Sequence, residues 1–131
     1  MLPKEARTRP YPSQELIGHL AGSRGKAYFP HCTSVKERYK ECEQAILDPM
    51  KGIIVPDKRE KKASTHVCLF INGAGENIAL PLSIDNEGKI SVLTIKNISE
   101  NEQNPSWFYE EYSKIAKMRN ISAMDRIWRP K

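Results

Sequence analysis

Residues 65–96 read THVCLFINGAGENIALPLSIDNEGKISVLTIK, and this stretch decides the expected fold. The segment 65–72 is apolar at consecutive positions, which is typical of a strand covered on both faces at the centre of a sheet. Asn-Gly-Ala-Gly at 72–75 predicts a hairpin turn, because glycine accepts positive φ without steric cost. Alternation at 78–84 and again at 89–96 predicts two more strands. The stretch therefore predicts an antiparallel sheet built from neighbouring strands.

The flanking sequence adds helices and one further strand. A helix is expected at 13–20, and a second at 34–47, where Ser34 and the glutamate three residues later form a capping box. GIIVP at 52–56 predicts a short strand, and 104–118 predicts an amphipathic helix that begins at Asn-Pro. The expected fold class is α+β: N-terminal helices followed by a four-stranded antiparallel sheet and a C-terminal helix.

Length and charge indicate the domain organisation and the type of binding partner. The chain has 131 residues, of which 39% are hydrophobic, and this suits one globular domain, expected at 13–120 between a basic N-terminal arm, 1–12, and a basic C-terminal tail, 121–131. A net charge of +5 favours acidic partners such as nucleic acid. The sequence has no apolar run of about 20 residues and its start lacks the apolar core of a secretory signal, so we expect a cytoplasmic protein without membrane contact.

The cysteines do not predict a disulfide framework or a metal centre. Cys32, Cys42 and Cys68 are odd in number, and their spacings contain no Cys-x-x-Cys pair. Convergence of these thiols with His31 and His66 would make a zinc site, the less favoured alternative. The expectation is that Cys42 and Cys68 are buried apolar side chains and that the protein uses no metal and no cofactor.

Several enzyme classes lack their motifs in this sequence. It contains no Gly-x-Ser-x-Gly elbow and no His-Glu-x-x-His pattern, and the glycines at 73 and 75 precede a strand pattern rather than the helix that a phosphate-binding loop needs. The acidic pairs Glu110-Glu111 and Glu41-x-Glu43 fall on helix surfaces, where they are expected to be solvated. Function must therefore be inferred from arrangement and charge.

The pieces HCTS at 31–34, AILDP at 45–49 and VLTIK at 92–96, in this order of elements, resemble a known group. They look like the fold shared by barnase, EndoU, the tRNA-cutting colicins and RelE (the BECR fold), especially its phage-borne and polymorphic-toxin members. The resemblance covers roughly 28–98 and lies in pattern more than in identity. It implies helices ahead of a four-stranded antiparallel sheet, RNA cleavage on the concave face of that sheet, and a cognate antitoxin or immunity protein as partner.

Metal-free RNA cleavage activates the ribose 2′-OH toward its own phosphate, which requires an acid, a base and cations at the phosphate. His31 is the natural acid or base because histidine titrates near neutrality, although a capping or solvent-exposed role is the simpler alternative. Thr94 is expected to hydrogen-bond the phosphate and Lys96 to neutralise its charge. His66 is expected to be structural and His19 to lie on the surface.

Basic residues outside this triad, together with one tryptophan, are the expected RNA contacts. They lie on the second helix, in the charged loop and in the tail: Arg38, Lys58, Arg59, Lys61, Lys62, Arg126, Trp128 and Arg129. Alternatively, Trp128 fills a groove of its own domain. The predicted function is a small, metal-independent, toxin-like endoribonuclease, and the alternative is a non-catalytic nucleic-acid- or protein-binding module, as in a phage or accessory protein.

Overall fold

The computed structural model describes residues 9–57 and 63–98. Its helices are α1 (Gln14–Ala21), α2 (Ser23–Tyr28) and α3 (Val35–Leu47). Its strands are β1 (Tyr11–Pro12), β2 (Gly52–Pro56), β3 (His66–Ile71), β4 (Asn77–Ile84), β5 (Ile90–Val92) and β6 (Lys96–Asn97). No helix in these two ranges has the length and apolar character that crossing a membrane requires.

The sheet runs in the order β1-β5-β4-β3-β2, and β6 also pairs with β4. The α+β class is confirmed, but the prediction of a four-stranded, wholly antiparallel sheet is wrong, because the described residues alone form a sheet of six strands in which β1 pairs with β5 in parallel. The predicted last strand is interrupted at 93–95 and becomes β5 and β6, which pair with opposite ends of β4. The predicted C-terminal helix at 104–118 lies outside the described residues.

Strand β3 is an interior strand of the sheet, although the middle position in the strand order belongs to β4. Strand β3 lies between β2 and β4. Cys68 and Phe70 point to one face, Val67 and Leu69 point to the other, and none of these four is more than 2% exposed. Because both faces are buried, consecutive apolar residues here produce a two-sided core instead of a solvated face.

One face of the sheet packs against the three helices. The residues of this core are apolar and buried, and they come from the helices, from β2 to β5 and from the connections between elements: Leu16, Leu20, Phe29, Cys42, Ala45, Ile46, Ile54, Cys68, Phe70, Ile78, Leu80, Leu82, Ile90, Val92 and Ile95. The contact is closest where α3 crosses β2. A Cβ added at Gly52 would overlap the carbonyl oxygen of Ala45 and come within 2.9 Å of Cys68 Sγ. Glycine at this position therefore sets the distance between helix and sheet.

Serine caps begin α1 and α3 as predicted. Ser13 Oγ accepts a hydrogen bond of 3.0 Å from the amide of Leu16, and Ser34 Oγ accepts one of 3.2 Å from the amide of Glu37. Ser13 Oγ also donates to the carbonyl oxygen of Leu93 at 2.7 Å. This hydroxyl therefore both caps α1 and ties it to the interruption between β5 and β6.

The sequence does not predict helix α2. Residues 22–25 contain two glycines and are typical of a helix end, and Tyr28-Phe29-Pro30 predicts an extended segment that leads to His31. Instead, α2 begins immediately at Ser23. The tight turn is possible because Gly25 lies against the backbone of Leu20, where any Cβ would overlap main-chain atoms.

Part of the expected N-terminal arm belongs to the packed domain. Tyr11–Pro12 pairs with β5. The hydroxyl of Tyr39 donates to the carbonyl oxygen of Pro10 at 2.8 Å, and Arg9 Nε lies 3.3 Å from Glu43 Oε2. Residues 9–12 are thus anchored to α3 and to the sheet.

Candidate functional site

The side chain of His31 contacts α3 and the hairpin turn between β3 and β4. Its Nε2 lies 2.5 Å from Glu41 Oε2, and its ring lies over Gly73, where an added Cβ would come within 2.7 Å of Cε1. The ring of Phe29 contacts it edge-on, with centroids 6.3 Å apart. His31 is therefore held at the β3–β4 turn.

Thr94 and Lys96 lie at the interruption between β5 and β6. Thr94 is half-buried and Lys96 is exposed. Lys96 pairs with Ala79, which in turn pairs with Leu69, so Lys96 belongs to the sheet face that points away from the helices. The contacts described for His31 are with Phe29, Glu41 and Gly73, and they include neither Thr94 nor Lys96. They therefore do not bring His31 together with the other two predicted catalytic residues.

Arg24 links a different histidine to this segment. Arg24 Nη1 donates to the carbonyl oxygen of Ile95 at 3.0 Å, and it lies 3.3 Å from His19 Nε2. Ile95 is the residue between Thr94 and Lys96, so the guanidinium contacts the strand interruption where the sequence predicted a phosphate site, and the imidazole lies behind the guanidinium. Both side chains are half-buried, which leaves them accessible.

The turn between α1 and α2 creates this grouping. His19 is in the last turn of α1, and Arg24 is in the first turn of α2. Sequence reasoning treated His19 as a surface residue and used Gly22 and Gly25 only as a helix stop. One signal was available, because His19 follows the buried Leu16 by three residues and so lies close to the packed side of the helix.

The hydrogen-bond pattern defines the chemistry that this pair can perform. A guanidinium is always a donor, so His19 Nε2 accepts in this geometry and presents its lone pair to Arg24. Arg24 has five N–H donors in a planar fork that matches the oxygens of a phosphate. A phosphodiester that binds here can therefore accept the hydrogen bond that Arg24 gives to His19. The lone pair of His19 Nε2 is then free to accept a proton.

Arg38, the one predicted RNA contact among the described residues, is buried. It is 7% exposed, and its Nη1 donates to the carbonyl oxygen of Leu20 at 2.6 Å. The expectation that it lies on the outer side of the helix is wrong, because its long side chain reaches across to the end of α1. The remaining predicted contacts lie outside the described residues: Lys58, Arg59, Lys61, Lys62, Arg126, Trp128 and Arg129.

The cysteines divide into two buried residues and one at a surface cavity. Cys42 and Cys68 are fully buried, as predicted, and burial raises the pKa of the Cys42 thiol. Cys32 is half-buried and borders a cavity of about 640 Å³ between α3 and the end of β3. Burial, reinforced by the negative charge of Glu41, raises the pKa of Cys32 as well.

No protein-family model, curated protein or solved structure matches this chain.

Proposed function

We propose that this protein is a metal-independent endoribonuclease of toxin type, with His19 and Arg24 at the centre of its site. The observation that carries the proposal is the double contact of Arg24, which lies 3.3 Å from His19 Nε2 and donates to the carbonyl oxygen of Ile95. It brings a proton acceptor and a permanent cation to one accessible place. The net charge of +5 favours a polyanionic substrate at such a site.

The cleavage reaction requires only His19, Arg24 and solvent. Arg24 binds the non-bridging oxygens of the scissile phosphate and leaves His19 Nε2. The imidazole then takes the proton of the ribose 2′-OH as the 2′-oxygen attacks phosphorus. The bond from phosphorus to the 5′-oxygen breaks, and that oxygen takes a proton from solvent. The products are a 2′,3′-cyclic phosphate and a 5′-hydroxyl, while the guanidinium offsets the charge that develops on the phosphorane.

Thr94 and Lys96 also act at this centre, Thr94 as a hydrogen-bond donor to the phosphate and Lys96 as a more distant positive charge. Thr94 precedes the residue whose carbonyl oxygen Arg24 binds, and its hydroxyl is assigned a hydrogen bond to a phosphate held there. Lys96 starts from the opposite face of the sheet, and its long side chain acts as a general attractor for RNA. A protein partner with an acidic surface would neutralise the site by covering Arg24.

The experiment is a cleavage assay on a labelled RNA in the presence of EDTA. We expect the wild-type protein to cut RNA and to leave an all-deoxy oligonucleotide intact, because the mechanism requires the 2′-OH. His19→Ala should lower the rate at least about a hundredfold, the scale of a general acid or base. Arg24→Ala should lower it to a similar degree, and Lys96→Ala should lower it less.

His31→Ala is the matched control, because His31 is an accessible histidine whose described contacts are with other elements. Equal loss of activity in His19→Ala and His31→Ala, with both variants folded by circular dichroism, would contradict the assignment of His19. Intact RNA at micromolar concentrations of folded wild-type protein would overturn the nuclease proposal. Salt-dependent RNA binding in that case would support the non-catalytic binding module.

A further inference from the structure

Three different metal-binding side chains meet at the entrance of the cavity beside α3. Single donor atoms of His31, Cys32 and Glu41 all lie within 4.8 Å of one another. His31 Nε2 is 2.5 Å from Glu41 Oε2, and Cys32 Sγ is 3.8 Å from the same oxygen. The site makes no described contact with His19 or Arg24, so it is separate from the proposed nuclease centre.

We propose that His31, Cys32 and Glu41 bind a zinc ion whose fourth coordination position opens onto the cavity. Zn²⁺ accepts nitrogen, sulfur and oxygen ligands. Three protein ligands with one open position are the pattern of zinc sites in which water or a substrate is the fourth ligand. The thiolate selects against Mg²⁺ and Ca²⁺, which prefer oxygen ligands throughout. The proposal does not depend on the nuclease function.

The surrounding structure orients the carboxylate and the imidazole. The amide of Gly73 donates to Glu41 Oε1 at 3.1 Å, which leaves Oε2 directed at His31 and Cys32. Asn72 Nδ2 donates to the carbonyl oxygen of Tyr28 at 2.9 Å and so ties the hairpin turn to the end of α2. Hydrogen bonds of this kind to a ligand's second atom are what hold metal-binding side chains in place in zinc sites.

The observed separations require one small adjustment for an ion to enter. Donors that share a tetrahedral zinc ion are about 3.3 Å apart for nitrogen and oxygen, given bonds of about 2.0–2.1 Å. Cys32 and Glu41 already have a suitable spacing. His31 must move away from Glu41 by about 1 Å, and its side chain is 44% exposed and so has room to do so.

The cavity gives the open position access to a further ligand. Cys32, Glu41 and Gly73 border it, and Ala45, Phe70 and Ile71 provide its apolar lining. A bound zinc ion would place a water molecule, or a donor atom of a small ligand, at the mouth of this apolar space. Metal binding would also link the segment before α3 to the hairpin turn.

The test is competition for Zn²⁺ with a chromophoric chelator, followed by substitution with Co²⁺ as a spectroscopic probe. We expect one ion per chain and a near-ultraviolet thiolate-to-cobalt absorption band. Cys32→Ser should abolish that band, and Cys32→Ser, His31→Gln and Glu41→Gln should each weaken Zn²⁺ binding at least about a hundredfold, the upper end of the effect of an outer-shell group. Gly73→Ala, which pushes on the ring of His31, should weaken it about tenfold.

Glu43→Gln is the matched control, since Glu43 lies two residues further along α3 and pairs with Arg9 instead. It should leave the affinity unchanged. Failure of the wild-type protein to compete for zinc, equal weakening by Glu43→Gln, or a cobalt band that survives in Cys32→Ser would each overturn the proposal. These measurements need no RNA, so loss of the nuclease proposal would leave their outcome unaffected.

Discussion

The guanidinium of Arg38 donates a 2.6 Å hydrogen bond to the carbonyl oxygen of Leu20 while only 7% exposed. Leu20 lies in the last turn of α1, where carbonyl groups have no partner within the helix and the helix dipole is negative. The cation of α3 therefore satisfies the end of α1. This contact fastens together the two helices that carry His19 and Glu41.

Arg38→Ala should reduce the free energy of unfolding by about 2 kcal/mol, because a buried hydrogen bond from a charged group and the packing of the arginine stem are both lost. Denaturant unfolding followed by circular dichroism measures the change. Lys36→Ala on the exposed side of the same helix is the control and should fall within about 0.5 kcal/mol of the wild type. Equal stability of the two variants would contradict a structural role for Arg38.

Gly52→Ala should destabilise the protein by about 2 kcal/mol or more, since its Cβ would overlap backbone atoms of Ala45 that cannot rotate away. Gly18→Ala is the matched control, and it is expected to stabilise the protein. Gly18 has open space around its Cβ position and lies in α1, so alanine should stabilise by about 0.5–1 kcal/mol. Thermal unfolding of both variants tests this pair, and a neutral Gly52→Ala would show that α3 can move away from β2.

His66 should make stability fall on acidification. Burial lowers the pKa of His66 below its ordinary value of 6.5, so below about that pH the unfolded chain binds the proton more readily than the folded one. The free energy of unfolding therefore decreases as pH falls from neutrality to below about 6.5. His66→Gln should make this decrease smaller, as urea unfolding across that range would reveal. An unchanged slope would mean that folding leaves the titration of His66 unaltered.

Local patterns in the sequence predicted much of this fold. The segments of β2, β3 and β4, the serine caps of α1 and α3, and the burial of Cys42 and Cys68 follow from periodicity and capping within a few residues. Neighbouring strands joined by hairpins need no long-range information. The interior position of β3, with both faces buried, likewise follows from its consecutive apolar residues.

Three of the failures involve partners that are distant in sequence. Tyr11 pairs with Ser91, and a two-residue strand that ends in proline has no periodicity to recognise. The burial of Arg38 depends on a carbonyl group in another helix. The contact of Arg24 with Ile95 spans 71 residues and exists because α1 and α2 fold back at Gly22. The structure therefore links His19, and not His31, through Arg24 to the segment that carries Thr94 and Lys96.

Within residues 9–57 and 63–98 the strands at the two ends of the strand order are β1 and β2, and each ends in a proline. Proline has no amide hydrogen to offer to an added strand, and short or proline-terminated edges are a common natural barrier to cross-β assembly. Pro12 and Pro56 thus discourage a second chain from pairing with β1 or with β2. A protein with an interior strand as apolar as β3 gains protection against aggregation from these two residues.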